Sequence, residues 1–175
     1  MPTLSPTLQT FVLHWGEMGT RWGVNRTVAQ IHALLFISAQ PLHAEAIAET
    51  LAVARSNVST GLRELQAWGI VRVVHVLGDR RDYFEAVKDV WDMFQLILEG
   101  RKRREVDPTL AVLRECVAEG REPLDAHARE RLMELLGFFE MTTRWFDQVR
   151  RMPRSTLFRF VRMGDKVAKL LRSAS

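Results

Sequence analysis

At Gly69 the spacing of apolar residues switches from that of a helix to that of a strand. Before it, Val58, Leu62 and Leu65 share one face of a helix expected over 55–68; after it, 70–76 is dense in β-branched residues. Glycine is the residue a helix C-terminus favours, because it adopts the left-handed conformation without steric cost. Gly78-Asp79 then makes a turn and 83–87 resumes as a second strand, so a β-hairpin follows the helix directly. Upstream, Ile47, Ala48 and Leu51 mark a short helix over 43–51, and only Ala52 to Ala54 separate it from the next. Two short helices joined by so tight a turn read as a helix-turn-helix, and the hairpin behind them as its wing. The ordered whole, from about residue 26 to 87, is far more specific than any single piece.

The flanks are helical. Ser5-Pro6 offers an N-cap followed by proline at the first helical position, and Leu8, Phe11, Val12, Trp15 and Trp22 continue at near-helical spacing, giving a first helix over 7–21. Gly23 ends it, Asn25 caps the next, and Val28, Ile31, Leu34, Leu35 and Ile37 form the apolar face of a helix over 26–39, which Gln40-Pro41 breaks. After Asp89 the helical pattern returns with Val90, Met93, Phe94, Ile97 and Leu98, followed by the solvated basic stretch Arg101 to Arg104. Asp107-Pro108 either caps a new helix or kinks a long one. Further helices are expected over 108–119, 124–150 (closed by Pro153) and 154–171. The fold class is therefore mainly α with a small β-hairpin: a winged helix-turn-helix with a helical region behind it.

A chain of 175 residues suffices for one domain with a sizeable core, or for a small domain plus an extension through which two copies associate. No apolar run approaches the roughly 18 residues needed to span a bilayer, and residues 1–10 lack the layout of a secretory signal, so a cytosolic protein with no membrane partner is expected. The single Cys116 excludes an intramolecular disulfide or a cysteine-based zinc cluster, and its place in a helix predicts a small buried apolar residue. The net charge of +4 suits a polyanionic partner, and 21 of the 25 basic residues are Arg, whose planar fork of donors matches phosphate and guanine edges.

If the helix over 55–68 enters a major groove, the residues opposite Val58, Leu62 and Leu65 face the DNA: Arg55, Ser56, Asn57, Ser59, Thr60 and Arg63. Asn pairs with adenine, Arg with guanine, and hydroxyls with phosphate or base. Such a polar face on its own describes any surface helix. The wing tip, Leu77 to Asp82, adds Arg80 and Arg81 on a protruding turn, where minor-groove or phosphate contact is available. The expected partner is double-stranded DNA.

These segments also resemble a known family. Ile47-Ala48-Glu49-Thr50-Leu51, then Arg55-Ser56-Asn57-Val58-Ser59 through Leu62-Arg63-Glu64-Leu65 to Trp68-Gly69-Ile70-Val71, is similar to the GbsR-like branch of the MarR regulators. The similarity continues through Gly78 to Ala86, Asp89-Val90-Trp91 and Arg101 to Pro108. The resemblance implies a homodimer in which each winged domain (25–88) reads half of a near-palindromic operator, with dimer contacts from the N-terminal helix (1–24) and the C-terminal helical region (89–175). It implies repression, and a wing in which Asp79 orders the loop while Arg81 reaches the minor groove. Ala54 departs from the pattern, standing where a capping Ser or Thr is common; that loss costs about 0.5 to 2 kcal/mol unless Ser56 starts the helix later.

The same resemblance implies control of osmoprotectant or transport genes and a quaternary ammonium effector. Trp15, Trp22, Trp91, Phe94, Phe138, Phe139 and Trp145 are candidate walls of an aromatic cage, although aromatics at helical spacing commonly belong to a core or interface. The five histidines show no helical i, i+4 metal pair, and no phosphate loop or nucleophile elbow occurs, so no enzyme activity, cofactor or metal is expected. The competing reading is a winged helix that serves as a protein-interaction subunit without its own operator. It would call for an apolar recognition face and a neutral wing tip, and neither is present.

Overall fold

The computed structural model describes residues 4–118, 125–156, 159 and 163. The chain divides into two compact units, 1–100 and 101–175.

In the first unit, α1 (Pro6–Arg21) begins at Ser5, whose hydroxyl accepts the Leu8 N–H, and α2 (Arg26–Ile37) begins at Asn25, whose side chain accepts from Thr27 and Val28. Both caps are those the sequence calls for. Next come α3 (Ala44–Leu51) and α4 (Arg55–Ala67), joined by a turn in which Ala52 adopts the left-handed conformation at φ +52°. A non-glycine residue there costs roughly 1 to 2 kcal/mol, and the turn closes on a bond from the Val53 N–H to the Ala48 carbonyl at 3.0 Å. Strands β2 (Val71–His75) and β3 (Asp82–Ala86) form the expected hairpin, with Gly78 at φ +84° in its turn, and α5 (Val90–Arg101) follows.

A strand absent from the sequence reading completes the sheet. Leu42–His43 (β1) pairs antiparallel with β3, Leu42 opposite Phe84 and His43 opposite Tyr83, giving the order β1-β3-β2. The helix expected from His43 therefore starts one residue later. The core lies between α2, α3, α4 and the sheet, where Ile31, Leu35, Ile47, Val58 and Leu65 are essentially inaccessible to water. Gly61 lets α4 approach α2: a Cβ on it would lie 2.7 Å from Ile31 Cδ1. Burying this apolar set in a single chain supplies the main drive for folding of the unit.

Lys88 fastens the far side of the sheet. Its ammonium donates to the carbonyls of Leu35, Phe36 and Ser38 at 2.6 to 2.9 Å, closing the C-terminus of α2 where a cation is favoured. One turn away, His32 is buried between the rings of Trp15 and Phe36, and its Nε2 has no hydrogen-bond partner. Burial, reinforced by the Lys88 charge, pushes its pKa down to about 4.

In the second unit, a π-helical turn (Lys102–Val106) runs directly into α6 (Asp107–Val117). Pro108 thus neither begins a separate helix after a break nor ends one. Proline withholds an N–H from the carbonyl four residues back, and a change to π spacing ahead of it accommodates the missing bond. Helix α7 (Ala126–Arg151) packs on α6, with Arg114 bound to Glu140 at 2.9 Å, and closes before Pro153 as expected. Of the helix expected over 154–171, residues 154–156, 159 and 163 are helical and the remainder lies outside the described residues. Cys116 corrects an expectation: it is exposed, because the buried face of α6 is carried by Leu110 and Leu113.

Candidate nucleic-acid interface

Helix α4 shows its two faces as its spacing requires. Val58, Leu62 and Leu65 are buried, while Arg55, Ser56, Asn57, Thr60 and Arg63 are exposed and Ser59 is half-buried. Its N-terminus carries no side-chain cap: Ala54 occupies the N-cap, the helix starts at Arg55, and Ser56 does not take over. The first turn instead presents backbone donors at its positive end, next to Arg55.

Arg55 is held by Glu45 of α3 in a close ion pair between Nη1 and Oε1. The Glu45 carboxyl lies below the usual carboxylate range, because its own backbone N–H, the His43 ring and Arg55 all favour the charged form. Arg63 reaches back along its helix to the Ser59 carbonyl and the Thr60 hydroxyl, both at 3.4 Å. Those contacts are long, and the guanidinium stays exposed for another acceptor.

The wing is fixed more firmly. Asp79 accepts the backbone N–H of Arg81 at 2.9 Å, takes the Arg81 Nε at 3.0 Å on both oxygens, and receives the Tyr83 hydroxyl at 2.8 Å. These donors, Arg81 foremost, hold the Asp79 carboxyl far below its usual range and raise the pKa of Arg81 in return. Arg81 also lies over the Tyr83 ring, 5.7 Å from its centre, and its Nη1 is 3.1 Å from His43 Nε2. Half of its side chain still faces solvent. Arg80 is exposed at the tip, next to a fully exposed Leu77.

An open cleft of about 360 Å³ joins the two elements. Arg55, Ser59, Arg63 and Gln66 of α4 line one side and Arg81 and Asp82 the other, over a floor that includes Ala44, Leu62 and Phe84. Four of the eight expected contact residues thus share one concavity. Ser56, Asn57 and Thr60 are exposed elsewhere on α4 and Arg80 at the wing tip; none of these lines the cleft. His43, Glu45 and Tyr83 were missed as parts of this surface. For Tyr83 the available signal was the alternation Asp79-x-Arg81-x-Tyr83, which puts three side chains on one side of an extended segment. Among the described residues no group of three or more His, Cys, Asp or Glu could hold a metal, and no helix is long and apolar enough to cross a membrane.

Of the aromatic residues considered for a cage, Trp91 pairs with Phe94 and Phe138 with Phe139, while Trp15 lies against Phe11, each with ring centres 5.6 to 6.1 Å apart.

Comparison with known proteins agrees with this architecture. Residues 22–82 match the family model described as MarR family. The chain is 22% identical over 154 residues to the HTH-type transcriptional repressor GbsR of Bacillus subtilis (strain 168), covering 83% of this chain and 85% of that protein. A crystal structure described as that of a transcriptional regulator superposes with a TM-score of 0.66 at 18% identity, covering 90% of this chain and 99% of the other. At that identity the superposition establishes the fold, a mainly helical winged helix with a small antiparallel sheet. Residues 22–82, which carry the helix, turn, helix and wing, are thus similar to the MarR family, and the fold is that of a winged helix.

Proposed function

We propose that the protein is a sequence-specific DNA-binding transcriptional regulator that acts as a repressor, binding a near-palindromic operator as a homodimer. The observation that carries this reading is the cleft in which Arg55, Ser59 and Arg63 of α4 face Arg81 of the wing. Phosphate and base contacts need forked donors on an exposed surface, and these guanidinium groups have that placement. The similarity to GbsR, itself named as a repressor, supports the sign of regulation. Resemblance to the GbsR-like branch extends the reading to osmoprotectant or transport genes and a quaternary ammonium effector. Residues 25–88 then act as the DNA-reading domain, with 1–24 and 89–175 serving association.

The dimer reading has its own support in α7. Leu135, Phe138, Met141 and Trp145 are between 43% and 62% exposed and lie within one broad arc of the helix, away from the half-buried row Leu132, Leu136, Phe139 and Phe146. A helix apolar on two sides is suited to a partner on each.

A gel-shift titration across salt concentrations tests the function. Binding weakens steeply as salt rises, each neutralised phosphate adding about 0.9 to the log–log slope. Arg63→Ala is expected to cost about 1 to 3 kcal/mol on the preferred site and to relax its sequence preference, whereas Arg81→Ala weakens all duplexes more evenly. No complex at low salt would leave the winged helix as a protein-interaction subunit.

A further inference from the structure

The two arginines that flank the cleft are tied to the same short segment. Arg55 is bound to Glu45, and Arg81 lies against His43, two residues before Glu45 at the junction of β1 and α3. Glu45 also approaches His43, its Oε2 being 3.1 Å from Nδ1. A continuous chain of contacts therefore runs Arg55–Glu45–His43–Arg81–Asp79–Tyr83, from the start of α4 to the wing.

The proton positions on His43 follow from its neighbours. Arg81 is a permanent donor, so the Nε2 facing it at 3.1 Å has to accept, and must carry no proton. A neutral imidazole then bears its proton on Nδ1, where the Glu45 carboxylate stands at 3.1 Å to receive it. The Ala46 N–H, 3.2 Å from the same Nδ1, cannot donate to a protonated nitrogen. Two contacts to charged groups outweigh this single neutral one. Protonating Nε2 would point N–H against N–H and set an imidazolium against the Arg81 guanidinium. The groups facing the ring are Glu45 from α3 and Arg81 and Tyr83 from the wing and β3, with Asp79 of the wing and Arg55 of α4 one step removed.

We propose that His43 is a positioning residue for DNA recognition: as the Nδ1–H tautomer it links the recognition helix to the wing. The proposal rests on the DNA-binding reading for its consequence, and on the tautomer for its structure.

Two conservative variants separate positioning from helix capping. His43→Asn keeps a short acceptor able to cap α3 at Ala46 but cannot reach Arg81. His43→Gln places an amide oxygen near the Nε2 position, where it can accept from Arg81. The probes are a duplex selected by the wild-type protein from a randomised pool and a scrambled duplex of equal composition. His43→Asn is expected to lower the preference for the selected duplex by about 3- to 10-fold with its melting temperature retained, and His43→Gln should keep the wild-type preference. Nitrogen-15 spectra of the imidazole in the DNA-free protein should report the Nδ1–H tautomer. An Nε2–H tautomer overturns the proposal whether or not DNA binds. With DNA bound, a His43→Asn protein that matches the wild-type preference overturns it while leaving the regulator reading intact. Absence of any DNA complex removes both.

Discussion

The winged unit and helix α7 treat their apolar residues in opposite ways. Between Val28 and Met93 the large aliphatic side chains close on one another, several with no measurable exposure, whereas the 26 residues of α7 include none that is buried. The first arrangement is complete within one chain. The second leaves Phe138 and Trp145 more than half exposed on a face that α6 does not cover. The difference teaches where each part draws its stability: the winged unit from its own core, and α7, on the dimer reading, from a second copy.

Truncating the core should have the largest effect. Ile47→Ala is expected to destabilise the protein by about 2 to 5 kcal/mol in denaturant unfolding, because a fully buried side chain leaves a cavity that rigid neighbours cannot fill. Trp145→Ala should behave differently, weakening association by about 2 to 4 kcal/mol in sedimentation, or roughly 30- to 1000-fold in Kd. Its effect on a dilute monomer should be small. If Trp145→Ala instead lowers stability as much as Ile47→Ala, independently of concentration, the contrast between the regions fails.

The smallest of these effects sharpens the account of the winged unit. His32 takes up a proton only near pH 4 in the folded chain, against 6.5 for the unperturbed group. Between those values the unfolded state binds more protons, so stability is full above about pH 6.5 and falls as pH drops through the window, by up to roughly 3 kcal/mol. His32→Leu should flatten that dependence and cost little at neutral pH, since Nε2 has no partner to lose. A pH-stability curve unchanged by His32→Leu would show that another group sets it.

What was legible in the sequence follows from range. Ser5 and Asn25 announce their helices because a cap acts over three residues, and the period change at Gly69 announces the wing because periodicity is local. The exposed face of α4 was readable for the same reason. The ties that hold Arg55, Arg81 and Lys88 were not, since the Glu45–Arg55 pair spans ten residues, the His43–Arg81 contact spans 38, and Lys88 reaches back some 50 to α2. A strand as short as Leu42–His43 carries no alternation of its own and exists because β3 offers it an edge. Cys116 was misread because residue type suggests burial, while the face of α6 decides it.

Hydroxyl-radical footprinting on a duplex selected by the protein tests the central claim most directly, since it reports where on the DNA the helix and wing sit. Two protected half-sites about 10 base pairs apart are expected, with Arg81→Ala exposing the flanking minor grooves and Arg63→Ala weakening protection at the centre of each half-site. A footprint that neither substitution alters would mean that α4 and the wing do not form the DNA-binding surface.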